Sequence, residues 1–193
     1  MPQRVCVYCA SSRSADPAYA AAAKWLGELL ANNGSTIVYG GGGAGSMGAL
    51  ADGALATGGH VVGVLPHFMD EVEWGHRELT EPKLVADMHE RKSTMLKGVD
   101  AVIALPGGCG TLEELFEAIT WKRLGLLTAP IVIVNSGGYF DPVLAALNRA
   151  VDERFMNEQH RQMWSVVESV EDVLEAIASA PAWDENARSF AVS

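Results

Sequence analysis

Short apolar runs alternate with helix-patterned segments along the chain. The runs are Val5–Ala10, Thr36–Tyr39, His60–Leu65, Ala101–Leu105, Pro130–Val134 and Trp164–Val167. Each has the length of a buried strand and is rich in Val and Ile. The helical segments are closed by glycine or proline. Asp16–Asn32 opens on an Asp with Pro17 at the first helical position and stops before Gly34. Ser46–Ala56 stops at Gly58-Gly59, His89–Lys97 at Gly98 and Thr111–Leu124 at Gly125. Asp141–Arg154 again opens Asp-Pro, and Val170–Ser179 ends before Pro181. Strict alternation of this kind demands right-handed crossovers and a mainly parallel sheet with helices on both faces. The expectation is a doubly wound α/β domain over residues 1–180, followed by a loose extension at 181–193. In such folds ligands sit beyond the carboxyl ends of the strands, where the glycine-rich turns of this chain lie.

The 193 residues fit one domain, and 49% hydrophobic against 20% charged residues is globular composition. Lys and Arg number 14 against 24 Asp and Glu, a net charge of −10, which argues against a nucleic-acid or anionic-membrane binder. One local cationic pocket remains compatible with that balance. No segment reaches the roughly 18 apolar residues of a membrane span. Met1-Pro2-Gln3-Arg4 runs straight into the first strand with no signal-peptide pattern, so a cytoplasmic protein is expected. Three cysteines do not make a disulfide framework. Cys6-Val7-Tyr8-Cys9 reads C-x-x-C, but on a strand an offset of three points the two thiols to opposite faces. The five histidines (60, 67, 76, 89 and 160) show no ligand spacing, and no metal site is expected.

Two glycine loops and one cationic pair carry the chemistry. The first loop, Gly40 to Gly48, formally contains G-x-G-x-x-G at Gly43, Gly45 and Gly48. It follows the second strand, and the next strand has no acidic tip to hold a ribose, so a dinucleotide site is disfavoured. The second, Pro106-Gly107-Gly108-Cys109-Gly110-Thr111-Leu112-Glu113-Glu114, exposes successive backbone amides at a sheet's carboxyl end, an anion nest. Thr111 and Glu114 also read as a T-x-x-E capping box, in which Glu114 merely caps a helix. No Gly-Lys-Ser/Thr follows, which excludes a nucleoside-triphosphate loop. Arg91 and Lys92, in Met88-His89-Glu90-Arg91-Lys92, are either a solvated helix face or a phosphate-binding pair. The segment Pro66–Leu84 shows no clear element, and long loops of this kind are often functional.

Pro106–Glu114 resembles the P-G-G-x-G-T-x-x-E motif of the LONELY GUY (LOG) proteins, which are cytokinin riboside 5′-monophosphate phosphoribohydrolases once misnamed lysine decarboxylases. The resemblance runs from Val5 to about Ala178. It takes in Cys9-Ala10-Ser11-Ser12, Tyr39-Gly40-Gly41-Gly42 with Met47-Gly48, Arg77-Glu78-Leu79-Thr80, Val85–Lys92 and Ala118-Ile119-Thr120-Trp121. It implies a Rossmann-like homodimer without metal or organic cofactor. The reaction implied is hydrolysis of the N-glycosidic bond of a nucleoside 5′-monophosphate to free base and ribose 5-phosphate. The family's catalytic Arg and Glu fall on Arg91 and Glu114. Its nucleotide-binding positions fall on Glu78, Arg91, Lys92, the loop Gly108, Cys109, Gly110, Thr111, Leu112 and Glu113, and Thr120. The segment between Thr80 and Lys83, beside the expected base pocket, is shorter than in plant members.

The residue chemistry agrees with that reading. Glycosidic cleavage passes through an oxocarbenium-like state, which a carboxylate beside the sugar stabilises. Two other functions stand beside it. The same fold occurs in proteins resembling molybdenum-cofactor carriers, which have no need of a paired Arg and Glu. A housekeeping enzyme acting on AMP would use the same site as a cytokinin-forming one. A pyridoxal decarboxylase is rejected, because none of Lys24, Lys83, Lys92, Lys97 and Lys122 stands in a recognisable Schiff-base setting. Trp121, Leu124, Leu126 and Leu127 are assigned to the core on residue type, while the resemblance implies a dimer with the site near its interface.

Overall fold

The computed structural model describes residues 2–71 and 74–187. Glu73 of the Pro66–Leu84 segment and residues 188–193 of the expected extension lie outside the described residues. Seven parallel strands form one sheet in the order β4-β3-β2-β1-β5-β6-β7. They are β1 (Arg4–Tyr8), β2 (Thr36–Tyr39), β3 (Val61–Pro66), β4 (Glu81–Val85), β5 (Ala101–Ala104), β6 (Ile131–Val134) and β7 (Trp164–Val167). The helices are α1 (Pro17–Asn32), α2 (Gly45–Ala56), α3 (His67–Asp70), α4 (Met88–Leu96), α5 (Cys109–Arg123), α6 (Asp141–Asp152) and α7 (Val173–Ser179).

Strand alternation divides the core into two layers. Cys6, Tyr8, Val38, Val62, Val64, Val102, Ile131 and Ile133 join Met95, Leu115 and Leu147 on one face. Val5, Val7, Ile37, Tyr39, Val61, Ile103 and Val132 join Leu26, Leu50 and Val173 on the other. Cys6 and Cys9 fall into different layers, as the odd offset predicts, and both are free buried thiols. Close packing of α1 on α2 depends on two glycines. A Cβ on Gly27 would stand 2.2 Å from the Leu50 carbonyl, and one on Gly53 would stand 2.2 Å from the Lys24 carbonyl.

β4 is the strand the periodicity misses. Glu81-Pro82-Lys83-Leu84-Val85 lies at the sheet edge, where proline and charged residues are tolerated because one side of the ladder is unpaired. Leu127 is buried, but Leu124 and Leu126 are 38% and 64% exposed, which corrects their assignment to the core. The start of the expected loose extension is packed. Ala187 is fully buried, and Trp183 donates its indole N–H to the Lys122 carbonyl at 2.6 Å. A Cβ on Gly125, whose φ is +71°, would lie 2.2 Å from the Glu185 carbonyl.

Strand order reverses between β1 and β5, and the crevice at such a switch point is where doubly wound folds bind ligands. Both glycine loops open at this end of the sheet. The first follows β2 and runs into α2; the second follows β5 and runs into α5. No described helix is long and apolar enough to cross a membrane.

Candidate active site

α4 carries Arg91 inward. Asp87 caps the helix by accepting from the backbone N–H groups of His89 and Glu90 at 2.8 and 2.9 Å. This fixes the first turn and turns Arg91 and Lys92 towards α5, where both are nearly buried. The Arg91 guanidinium is held on three sides. Nε donates to the Val64 carbonyl at 3.1 Å, Nη2 to the Gly40 carbonyl at 3.0 Å, and Nη1 to Glu114 Oε1 at 3.1 Å. Gly40 is required for this seat, because a Cβ there would lie 2.0 Å from Nη2. Buried ion pairs persist only when further hydrogen bonds satisfy the charge, and the two carbonyls supply them.

Glu114 is 4% exposed. Burial pushes its carboxyl up to about 7, and Glu113 and Glu117 push the same way, while Arg91 and Lys92 pull it down. A buried carboxyl poised near neutrality, held by one fixed cation, has the character of a catalytic acid, base or charge stabiliser.

The expected capping box is absent. α5 begins at Cys109 with Gly108 as its N-cap and no side-chain cap, so Thr111 lies inside the first turn. Its hydroxyl abuts Gly107 instead, where a Cβ would stand 2.1 Å from Thr111 Oγ1. Glu114 is thereby turned from the helix start to Arg91. Gly108, Cys109 and Gly110 are exposed, and open space surrounds the Cβ positions of both glycines. The first-turn amides of a helix lack intrahelical partners, so this open turn can accept an anion. Leu112 packs partly against the core, and its N–H bonds the Gly108 carbonyl at 3.1 Å.

Lys92 is already held in ion pairs. Its ammonium is paired with Glu113 and, at 3.1 Å, with Glu117, and these carboxylates hold its pKa up. It neutralises two acids flanking Glu114. Glu78 is exposed, and its backbone N–H bonds His76 rather than the Arg91–Glu114 pair. The backbone links its loop to the first glycine loop: Gly43 N–H donates to Trp74 at 3.0 Å and His76 N–H to Gly41 at 2.9 Å. His76, one of the five histidines without metal-ligand spacing, accepts from the Glu78 N–H at 3.2 Å and lies 3.0 Å from Asp52 on α2. Thr120 stands apart from the pair. It bonds the Phe116 carbonyl at 2.8 Å and lines an apolar hollow with Phe116, Ile119, Leu147 and Met156. Gly40 belongs to the Tyr39-Gly40-Gly41-Gly42 motif, and His76 directly precedes Arg77-Glu78-Leu79-Thr80.

No group of three or more potential metal ligands occurs among the described residues. The site also does not fit a pyridoxal group. Lys92 is clasped by two carboxylates, and Lys122, 1% exposed, is buried beneath Trp183 with its amine on the Ala129 carbonyl at 2.7 Å.

A strand-order reversal between β1 and β5, an exposed glycine-rich helix start and a buried Arg–Glu pair define a Rossmann-like α/β protein with a carboxylate-centred site. The family described as "Possible lysine decarboxylase" matches residues 47–177. Cytokinin riboside 5′-monophosphate phosphoribohydrolase LOG7 of Arabidopsis thaliana is 39% identical, covering 95% of this chain and 89% of its own. The probable phosphoribohydrolase LOGL1 of Oryza sativa subsp. japonica is 42% identical over 83% of this chain and 72% of its own. The chain belongs to this LONELY GUY family. Among solved structures, the Moco carrier protein of Chlamydomonas reinhardtii shares the fold at 19% identity. Its TM-score is 0.70, over 93% of this chain and 98% of that one. The molybdenum cofactor binding protein of Rippkaea orientalis shares it at 21% identity, with a TM-score of 0.68 over 93% and 97%.

Proposed function

We propose that this protein hydrolyses the N-glycosidic bond of nucleoside 5′-monophosphates, cytokinin nucleotides or AMP, to free base and ribose 5-phosphate. The buried Arg91–Glu114 pair carries the reading. The phosphate sits on the first-turn amides at Gly108–Thr111, where Gly108, Cys109 and Gly110 are exposed. The ribose lies over Glu114, whose carboxylate stabilises the positive charge that develops at the anomeric carbon and orients the attacking water. Arg91 opposes the effect of burial on the Glu114 carboxyl and keeps it aimed. Glu78 binds the ribose hydroxyls or the base from its exposed loop. The carrier alternative is weaker, because a carrier needs no buried acid poised near pH 7, and the carriers share the fold at 19–21% identity.

The same reading takes the protein as a homodimer in a cytoplasmic setting. Thr120, Phe116 and the apolar hollow between α5 and α6 form a face on which a second copy completes the site. The three free thiols suit a reducing compartment. The test is release of base and ribose 5-phosphate from AMP and from N6-isopentenyl-AMP. The faster substrate identifies the role as nucleotide turnover or hormone release. Binding without release from either supports the carrier. A monomer in sedimentation, with full activity, contradicts the dimer.

A further inference from the structure

The turn that receives the phosphate in this reading contains a peptide with glycine on both sides, Gly107–Gly108. Such a peptide flips at little steric cost, because neither flanking residue has a Cβ. Flipped, it would aim a carbonyl oxygen instead of an N–H at the anion. Something must hold it in one sense, and the neighbouring β6–α6 connection is built to do so.

Asn135, at the end of β6, is buried, and its side chain ties the connection together. Oδ1 accepts from the Phe140 N–H at 2.6 Å, and Nδ2 donates to Asp141 Oδ1 at 2.8 Å. Gly137 and Gly138 both take left-handed conformations, φ +62° and +73°, and carry the chain sharply round. The residue delivered by this turn is Tyr139. Tyr19 meets its ring edge-on at 6.0 Å and Phe140 at 5.1 Å, and its hydroxyl donates to the Gly107 carbonyl. Gly107 is buried and closed from another side by Thr111 Oγ1. In a trans peptide the carbonyl and the following N–H point in opposite directions. Holding the Gly107 carbonyl on Tyr139 therefore turns the Gly108 N–H away from the tyrosine, and Gly108 is exposed with open space around it.

We propose that Tyr139 is a positioning residue for phosphate recognition: its hydroxyl locks the Gly107–Gly108 peptide so that the Gly108 N–H faces the anion. This rests on the nucleotide-monophosphate reading above. It adds a residue from a different loop, with no contact to substrate, whose effect is confined to the phosphate end.

Tyr139→Phe removes the hydroxyl and keeps the ring contacts. Titration calorimetry with AMP and with inorganic phosphate, steady-state kinetics and thermal melting are measured on wild type and variant. A hydrogen bond to a charged group sets the expected scale, about 10- to 100-fold weaker binding of both ligands. KM rises by a similar factor, while kcat at saturation and the melting temperature hold. Affinities within twofold of wild type overturn the proposal. So does a variant that melts several degrees lower with kcat and KM both impaired, since that is a general structural role. Weakened binding of AMP and phosphate, with no base released by wild type or variant, supports Tyr139 and overturns the hydrolase reading. Wild type that binds neither AMP nor phosphate overturns both.

Discussion

Arg91 Nη1 lies 3.1 Å from Glu114 Oε1, and the two side chains are 6% and 4% exposed. The pair joins α4 to α5 across the carboxyl ends of the sheet. Its other bonds, to the Val64 and Gly40 carbonyls, come from β3 and the turn after β2. One guanidinium thus fixes the position of the acid relative to three neighbouring elements.

Glu114 makes activity and stability move in opposite directions with pH. Burial lifts its carboxyl to about 7 in the folded chain, above its ordinary value of 4.5. If the ionised form does the chemistry, as proposed, kcat/KM falls about tenfold per pH unit on the acid side of 7. Between 4.5 and 7 the folded chain holds a proton that the unfolded chain releases. The contribution to stability is therefore complete below 4.5 and lost as pH rises through 7. A pH–rate profile and urea unfolding at pH 5 and 7.5 check both signs. Glu114→Gln flattens the stability difference over that window.

Gly40→Ala places a methyl 2.0 Å from Arg91 Nη2 and 3.1 Å from Met47 Cε. The guanidinium must leave the Gly40 carbonyl, and Glu114 loses its fixed partner. Overpacking of this kind costs about 1–3 kcal/mol of stability. Activity falls by about 100-fold, the lower end of what a positioned acid–base group contributes. Thermal melting and kcat on one preparation separate the two effects. Unchanged activity contradicts the seat described for Arg91.

Lys122 supplies a pH signature on the basic side. Burial lowers its ammonium from 10.5 to about 8, with no carboxylate to offset it. Between 8 and 10.5 the unfolded chain holds more protons, so stability rises with pH in that window, by up to about 1.4 kcal/mol per unit. Lys122→Met abolishes the rise. Trp183→Ala, which uncovers the amine, shrinks it and lowers stability by about 2–3 kcal/mol, short of the full cost of a core tryptophan.

Much of this was legible from the chain, for physical reasons that differ element by element. Strands buried on both faces read directly as Val- and Ile-rich runs, whereas β4, with Pro82 in its middle and one open edge, left no such pattern. Arg91 and Glu114 were legible through their motifs, but not the cause of their pairing. That cause lies in α5 starting at Cys109, two residues before the threonine that resembled a cap. The ion pairs of Lys92 were not legible, because its neighbours in sequence are on its own helix. Its partners, Glu113 and Glu117, lie one turn apart on α5 and meet it only once the two helices are adjacent. Leu124 and Leu126 carry core-type side chains, yet the glycine turn between them leaves both at the surface.

The central claim is that Glu114 is the catalytic carboxylate of a nucleotide N-glycosidase. Wild type and Glu114→Gln are assayed for ribose 5-phosphate release from AMP and N6-isopentenyl-AMP, with nucleotide binding measured on the same samples. The account predicts release by wild type and a loss of about 100-fold or more in the variant, with binding retained. Release by Glu114→Gln at a rate near that of wild type would contradict it.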